Sequence, residues 1–365
     1  MKSKRDRTEE EDMLSDLHDS ILLRIMKFMN TKEAVQTCVL SSRWKNLWKG
    51  LTSFKLNYYT ITDYTHFSEF VFWVLSNRDN LTSLHDIDLR QQFCIQPELV
   101  NQVLTYAVSH NVQKLKMEID IIKCGYKINP CIFSCKSLTH LKLSILVAPG
   151  MIELPTSIQC PALKCLHLEN VTFIGNDNGI VDPFSNCHML STLVLEHCYL
   201  HCNVECLCIS NSKLSSLTIG STIQAVGYKI VLSTPNLNYI NLTGYFIHQV
   251  SICYLSFLEQ VNVDVKGSEP YFPTYLDMTY STLISWLQGL ANYVKILTLS
   301  SSTLQVLLRR TSGSINSRLP CFVRLKSLKL KVKPSNISDE ELRRLMNFFL
   351  ENSPQAEVFI DCLDI

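Results

Sequence analysis

Leu190-Ser-Thr-Leu193-Val-Leu195-Glu-His-Cys198-Tyr-Leu200 places its leucines at L-x-x-L-x-L and then adds x-x-C-x-L. One such run is common in any apolar chain, so its weight lies in recurrence. Copies stand at Leu138-Leu141-Leu143, Leu163-Leu166-Leu168, Leu214-Leu217-Ile219 and Leu237-Ile240-Leu242. Leu258-Val261-Val263, Val294-Leu297-Leu299 and Leu325-Leu328-Leu330 continue the series. Upstream, Leu51-Phe54-Leu56, Leu84-Ile87-Leu89 and Val112-Leu115-Met117 match it. Most successive starts lie roughly 21 to 28 residues apart, with wider gaps after Leu258 and Val294.

That period is leucine-rich-repeat spacing. Each copy supplies one short strand whose apolar residues point inward, and a return segment runs back along the other side. One repeat cannot bury its own apolar face, so neighbours must stack into a continuous core. The expected architecture over residues 51–365 is therefore a curved parallel sheet with an irregular or helical convex side. Tyr280–Gly289 can form a helix within an insertion, and Asp339–Asn352 reads as a terminal capping helix with Leu342, Leu345, Phe348 and Phe349 inward. Cys135, Cys160 and Cys187 each precede a repeat's first leucine by three positions, so equal register stacks them as a ladder of small buried residues.

Residues 13–50 follow a different period. Ile21, Ile25 and Phe28 share one helical face, with Leu22, Met26 and Met29 beside them. Asn30-Thr31 caps a second helix from near Lys32 that carries Ala34, Val35 and Cys38. Ser41 caps a third, with Trp44 and Trp48 on one face and Leu47 beside them. Three helices in so few residues enclose little core, so the tryptophans and the apolar faces are expected to stay partly available to another surface.

Composition narrows the function. Of 365 residues, 46% are hydrophobic and 18% charged, which suits a sizeable folded core. The net charge of +1 argues against a strongly basic nucleic-acid binder. No apolar run approaches the ~18–20 residues of a membrane span. The 15 cysteines are an odd number behind an N-terminus without signal-peptide character, so reduced thiols in the nucleus and/or cytoplasm are expected. The basic run Lys2–Arg7 reads as a solvated tail or a nuclear signal. No G-x-S-x-G elbow, P-loop or H-E-x-x-H is present, so no catalytic residue, cofactor or metal is assigned. His197, Cys198, His201, Cys202, Cys206 and Cys208 crowd together. Cys198 is explained by its repeat position, however, and Leu207 and Ile209 alternate with Cys206 and Cys208 as a strand would.

Leu14-Ser-Asp-Leu-His-Asp-Ser-Ile-Leu-Leu-Arg-Ile-Met-Lys-Phe-Met29 resembles the start of a plant F-box, and Val39-Leu-Ser-Ser-Arg-Trp44 with Leu47-Trp48 is its most specific part. Ile132–Leu143 and Ser233-Thr-Pro-Asn-Leu237 are similar to the repeats of plant F-box/leucine-rich-repeat proteins of the FBD type. The family usually has Pro where this chain has His18, so the first helix is expected to begin less sharply. The resemblance implies an α/β chain with a three-helix F-box at residues 13–50 ahead of the solenoid. It also implies a non-enzymatic, substrate-recognising subunit of a Skp–cullin–F-box ubiquitin ligase. The alternative is a repeat scaffold that binds partners without ubiquitin delivery.

By the family motif the adaptor-facing residues are Leu14, Leu17, Ile21, Leu22, Ile25, Phe28, Val35, Leu40, Trp44 and Trp48. They would meet a Skp-type adaptor and, through it, cullin. The target protein is unknown. It is expected on the strand surface around Lys116, His140, Lys142, His167 and Tyr239, an extended surface without a deep pocket, where the lysines favour an acidic or phosphorylated segment.

Overall fold

The computed structural model describes residues 14, 17–57, 64–94, 96–120, 128–145, 153–176, 178–221, 228–245, 248–266, 273–309, 320–333 and 337–362. The basic run Lys2–Arg7 lies outside the described residues. Among the described residues no helix is long and apolar enough to cross a membrane.

The repeated leucines form one long sheet. Its strands are Ser53–Asn57, Asp86–Cys94, Lys114–Asp120, His140–Ile145, Cys165–Glu169, Thr192–Glu196, Ser216–Ser221, Tyr239–Gly244, Gln260–Val265, Ile296–Ser300, Ser327–Val332 and Glu357–Cys362. They lie side by side in chain order. Neighbours pair in parallel with repeat positions in register, as Leu141, Leu166, Leu193, Leu217 and Ile240 do across successive strands. Side chains alternate across a strand. Leu166 and Leu168 are therefore buried, while Cys165, His167 and Glu169 stand half-buried on the sheet's open face.

Helices stand at both ends of the sheet, two ahead of its first strand and the others between successive strands. They are α1 (Asp19–Met26), α2 (Thr31–Gln36), α3 (Tyr64–Asn77), α4 (Pro97–Ser109), α5 (Pro273–Leu290), α6 (Ser301–Arg309) and α7 (Asp339–Asn352). The insertion expected at Tyr280–Gly289 is thus helical, inside α5. The middle returns correct the irregular or helical expectation. Ile180–Val181, Cys206–Ser210, Lys229–Ser233 and Gln249–Tyr254 pair into a second parallel sheet. α7 buries Leu345, Phe348 and Phe349 but does not end the solenoid, because Glu357–Cys362 follows it as the last strand of the long sheet.

The cysteine ladder is present and does more than fill space. Cys135, Cys160 and Cys187 are buried. The thiols of Cys160 and Cys187 each donate to a carbonyl of the preceding coil, Ile132 and Ile158, at 3.4 Å. Burial pushes the Cys160 thiol up to about 12, so it is an inert donor. In the next coil Asn211 takes the ladder position. Its Nδ2 donates to the carbonyls of Phe184 (3.1 Å) and Cys187 (2.9 Å), and its Oδ1 accepts from the Lys213 N–H at 2.9 Å. Asn211→Ala strands those buried groups. It should destabilise the chain by about 2–4 kcal/mol, since each unsatisfied buried group costs about 1–3 kcal/mol. Urea denaturation checks this, and a cost within error of zero would remove the ladder from the account of stability.

His248 is a second buried polar group, 1% exposed. Its ring lies 4.0 Å from that of Tyr228, and its carbonyl accepts from the Trp286 indole N–H at 2.7 Å. Burial alone lowers its pKa from 6.5 to about 4. The folded chain therefore holds His248 neutral, while the unfolded chain takes up a proton below pH 6.5. Stability should fall as pH drops from 6.5 towards 4, by roughly 3 kcal/mol at the acid end. His248→Gln should flatten that part of the curve of melting temperature against pH. Parallel curves for the two chains would show that other groups set the acid limit.

Candidate functional sites at the helical end and on the open face

The helical end is built by local caps and one arginine. His18 has φ −66°, close to the value proline imposes, and its Nδ1 accepts from the Ser20 N–H at 3.3 Å. The substitution at this position therefore retains a defined start for α1. Asn30 and Glu33 form a reciprocal capping box at α2. Arg43 pairs with Asp19 at 2.7 Å and also donates to the Leu17 carbonyl, so the motif arginine fixes the entry into α1.

This end is welded to the solenoid. The Lys55 N–H donates to Thr31 Oγ1 at 2.8 Å, joining α2 to the first strand. The buried residues Leu22, Met26, Ala34, Trp44, Leu47 and Trp48 are continuous with the solenoid core. The Trp48 ring stacks on Trp73 of α3 with centroids 5.1 Å apart.

The structure divides the ten candidate adaptor residues into three groups. Leu22, Trp44 and Trp48 are buried, which corrects the expectation that the tryptophans stay available. Leu17 and Val35 are half-buried and packed against the core. Leu14, Ile21, Ile25, Phe28 and Leu40 are exposed, Phe28 at 80%. Val39, at 83% exposed, joins this last group; it belongs to the F-box motif but not to the expected adaptor-facing set. The expected third helix is a 3₁₀ segment, Trp44–Gly50, and α2 gives way to another at Thr37–Val39. A 3₁₀ turn holds three residues and stacks i with i+3, so Trp44 stacks over Leu47 and both face the core.

On the open face the expected target residues are already engaged. Glu118 Oε1 accepts from Lys116 (3.0 Å) and Lys142 (2.8 Å). Burial acts to raise the Glu118 pKa, but the two lysines outweigh it and hold it at about 2. Arg90 pairs with Asp88 at 2.8 Å. His140 Nδ1 lies 2.9 Å from Thr139 Oγ1, and burial together with Lys114 and Lys164 lowers its pKa. Tyr239 accepts from Asn262 Nδ2 at 2.9 Å. Lys116 and Lys142 thus share one carboxylate of the chain itself, which leaves less of their charge for an acidic target.

His167, Glu169 and Glu196 bring donor atoms within 4.8 Å of one another. His167 Nε2 is already 3.1 Å from Glu196 Oε2, and Glu169 accepts from Ser144 Oγ at 2.5 Å, so the set is internally satisfied. Among the described residues the crowd from His197 to Cys208 forms no such group. Cys198 is buried, donating to the Leu168 carbonyl at 3.5 Å. Leu207 and Ile209 are buried, so Cys206 and Cys208 share the opposite face of their strand. An open cleft of 1260 Å³ lies elsewhere, at the last three strands, and none of Lys116, His140, Lys142, His167 and Tyr239 lines it.

Two family models match this chain: the F-box domain over residues 14–56, and the LRR repeats of the FBD-associated F-box protein At5g56370 over residues 100–255. Among curated relatives from Arabidopsis thaliana, the F-box/LRR-repeat protein At4g15060 is 32% identical over 65% of this chain and 56% of its own length. The F-box protein At1g58310 is 26% identical over 96% of this chain and 73% of its own. The F-box/FBD/LRR-repeat protein At1g78750 is 25% identical over 88% and 72%. With 53% of the F-box/FBD/LRR-repeat protein At4g00315 matched, the chain spans little more than half the length of several relatives.

Proposed function

The chain carries an F-box followed by FBD-associated leucine-rich repeats, as its Arabidopsis homologues do, and from that premise we propose that it is the substrate-recognition subunit of a Skp–cullin–F-box ubiquitin ligase. F-box/leucine-rich-repeat proteins are in general non-catalytic adaptors, and we extend that role to this chain. The F-box would dock a Skp-type adaptor and, through it, cullin. The repeats would hold the target. A nuclear and/or cytoplasmic site of action goes with this reading.

One observation carries it. Ile21, Ile25, Phe28, Val39 and Leu40 expose apolar side chains on a small helical end whose own core is already filled. Exposed apolar groups concentrated in one place mark a surface that another protein covers. The test is co-elution of the purified chain with a purified Skp-type adaptor in size-exclusion chromatography. A stable one-to-one complex is expected. Separate elution at micromolar concentrations would favour a scaffold that never delivers its partner to ubiquitin.

A further inference from the structure

The open face changes character along its length. Near its N-terminal end Lys116 and Lys142 share Glu118 and Arg90 pairs with Asp88, while Lys55 and Lys114 are exposed on separate strands. Near the other end exposed cations crowd together beside a cleft. Lys329 and Lys331 stand exposed on the strand Ser327–Val332, and Arg324 and Lys326 are exposed just ahead of it. Among the described residues none of these four side chains makes a hydrogen bond or a close ion pair, although Lys326 lies near enough to add to the Lys295 hydrogen bond in lowering the Glu259 pKa. Register sets Lys329 between Thr298 and Phe359 on neighbouring strands.

Arg324, Lys326, Lys329 and Phe359 line the 1260 Å³ cleft. Of its acidic lining residues, Glu259 is held by Lys295 at 2.7 Å. Glu357 and Asp361 remain, outnumbered by the unpaired cations. Phe359 is 46% exposed on the cleft surface, a large aromatic face among charges. The cleft is open and not an enclosed cavity, a shape that suits a stretch of chain more than a buried small molecule.

We propose that this cleft binds an extended, carboxylate-rich segment of the target protein, with an apolar side chain of that segment resting on Phe359. Unpaired lysine and arginine in a concave site offer charge-assisted hydrogen bonds to carboxylates. Phe359 supplies the aromatic anchor that dominates binding energy at protein interfaces. Glu357 and Asp361 interrupt the positive wall, so the cations form a short discrete cluster, which matches spaced carboxylates on a peptide and not the long basic track of a nucleic-acid backbone. Calling the ligand a target rests on the ligase reading; the binding chemistry does not.

The test is fluorescence anisotropy of the full chain with a labelled glutamate-rich peptide carrying a central leucine. The control arms use the same peptide with lysines for glutamates, and a single-stranded oligonucleotide. The glutamate peptide should bind and the lysine peptide should not. Lys326→Glu with Lys329→Glu should weaken binding by about tenfold or more, and Phe359→Ala by about fivefold or more. Lys116→Glu with Lys142→Glu should change it by less than about twofold, since those lysines already serve Glu118. The proposal is overturned if the glutamate peptide fails to bind, if the oligonucleotide binds more tightly, or if the Lys116/Lys142 reversal does the greater harm. Adaptor co-elution is measured on the same preparations. Loss of adaptor binding with peptide binding retained sinks the ligase reading alone, and the reverse sinks the cleft alone.

Discussion

Ile21→Ala with Phe28→Ala should lower affinity for a Skp-type adaptor by roughly a hundredfold or more while leaving thermal stability essentially unchanged. Apolar hot spots at interfaces cost about 2 kcal/mol or more each on truncation, and two of them exceed two orders of magnitude. The unfolding cost is small because neither side chain belongs to the core: Ile21 is 46% and Phe28 80% exposed. Ile21 also sits inside α1, where alanine has the higher helix propensity. Leu17 is a poorer choice for this experiment. It is half-buried against the core, and its carbonyl accepts from Arg43, so its truncation mixes folding with binding. Surface plasmon resonance with immobilised adaptor, paired with a melting curve of each variant, separates the two effects. Unchanged affinity in a folded double variant would reject α1 and the turn that follows it as the docking face.

The leucine period was sufficient to place eleven of the twelve strands of the long sheet, because register is repeated identically from coil to coil. The twelfth, Glu357–Cys362, escaped because Gln355 stands three residues before Val358, where the other copies have an apolar residue. The second sheet was partly legible. Leu207/Ile209 and Ile230/Leu232 alternate at period two, yet each run is too short to outweigh the expectation of an irregular return. Charge partners were not legible. The sequence names the outward lysines, but Glu118 meets Lys142 only across a strand boundary, and that neighbour relation follows from register. Within the F-box, a helical period of 3.6 was applied to residues that adopt 3₁₀ turns. A 3.6 period sets Trp44 and Trp48 on one face, whereas the structure buries both, and Val39 lay in the motif without belonging to the adaptor-facing set.

Trp48→Ala should therefore act on the fold before it acts on any partner. Trp48 is 2% exposed, is stacked on Trp73 of α3, and belongs to the same core as Leu22, Met26 and Phe54. Truncating a buried tryptophan removes its transfer free energy and leaves a cavity, together about 3–5 kcal/mol. The loss falls at the junction between the helical end and the first strand, where Thr31 and Lys55 are also bonded. The helical end should consequently loosen at a lower denaturant concentration than the repeats. Adaptor binding should weaken as a result of that loosening, even though the indole is buried in the chain's own core. Denaturation followed by tryptophan fluorescence and by far-ultraviolet circular dichroism tests this: the two curves should separate in Trp48→Ala and coincide more closely in Ile21→Ala with Phe28→Ala. A Trp48→Ala chain that melts like the wild type but no longer captures adaptor would return the indole to the interface and overturn its assignment to the core.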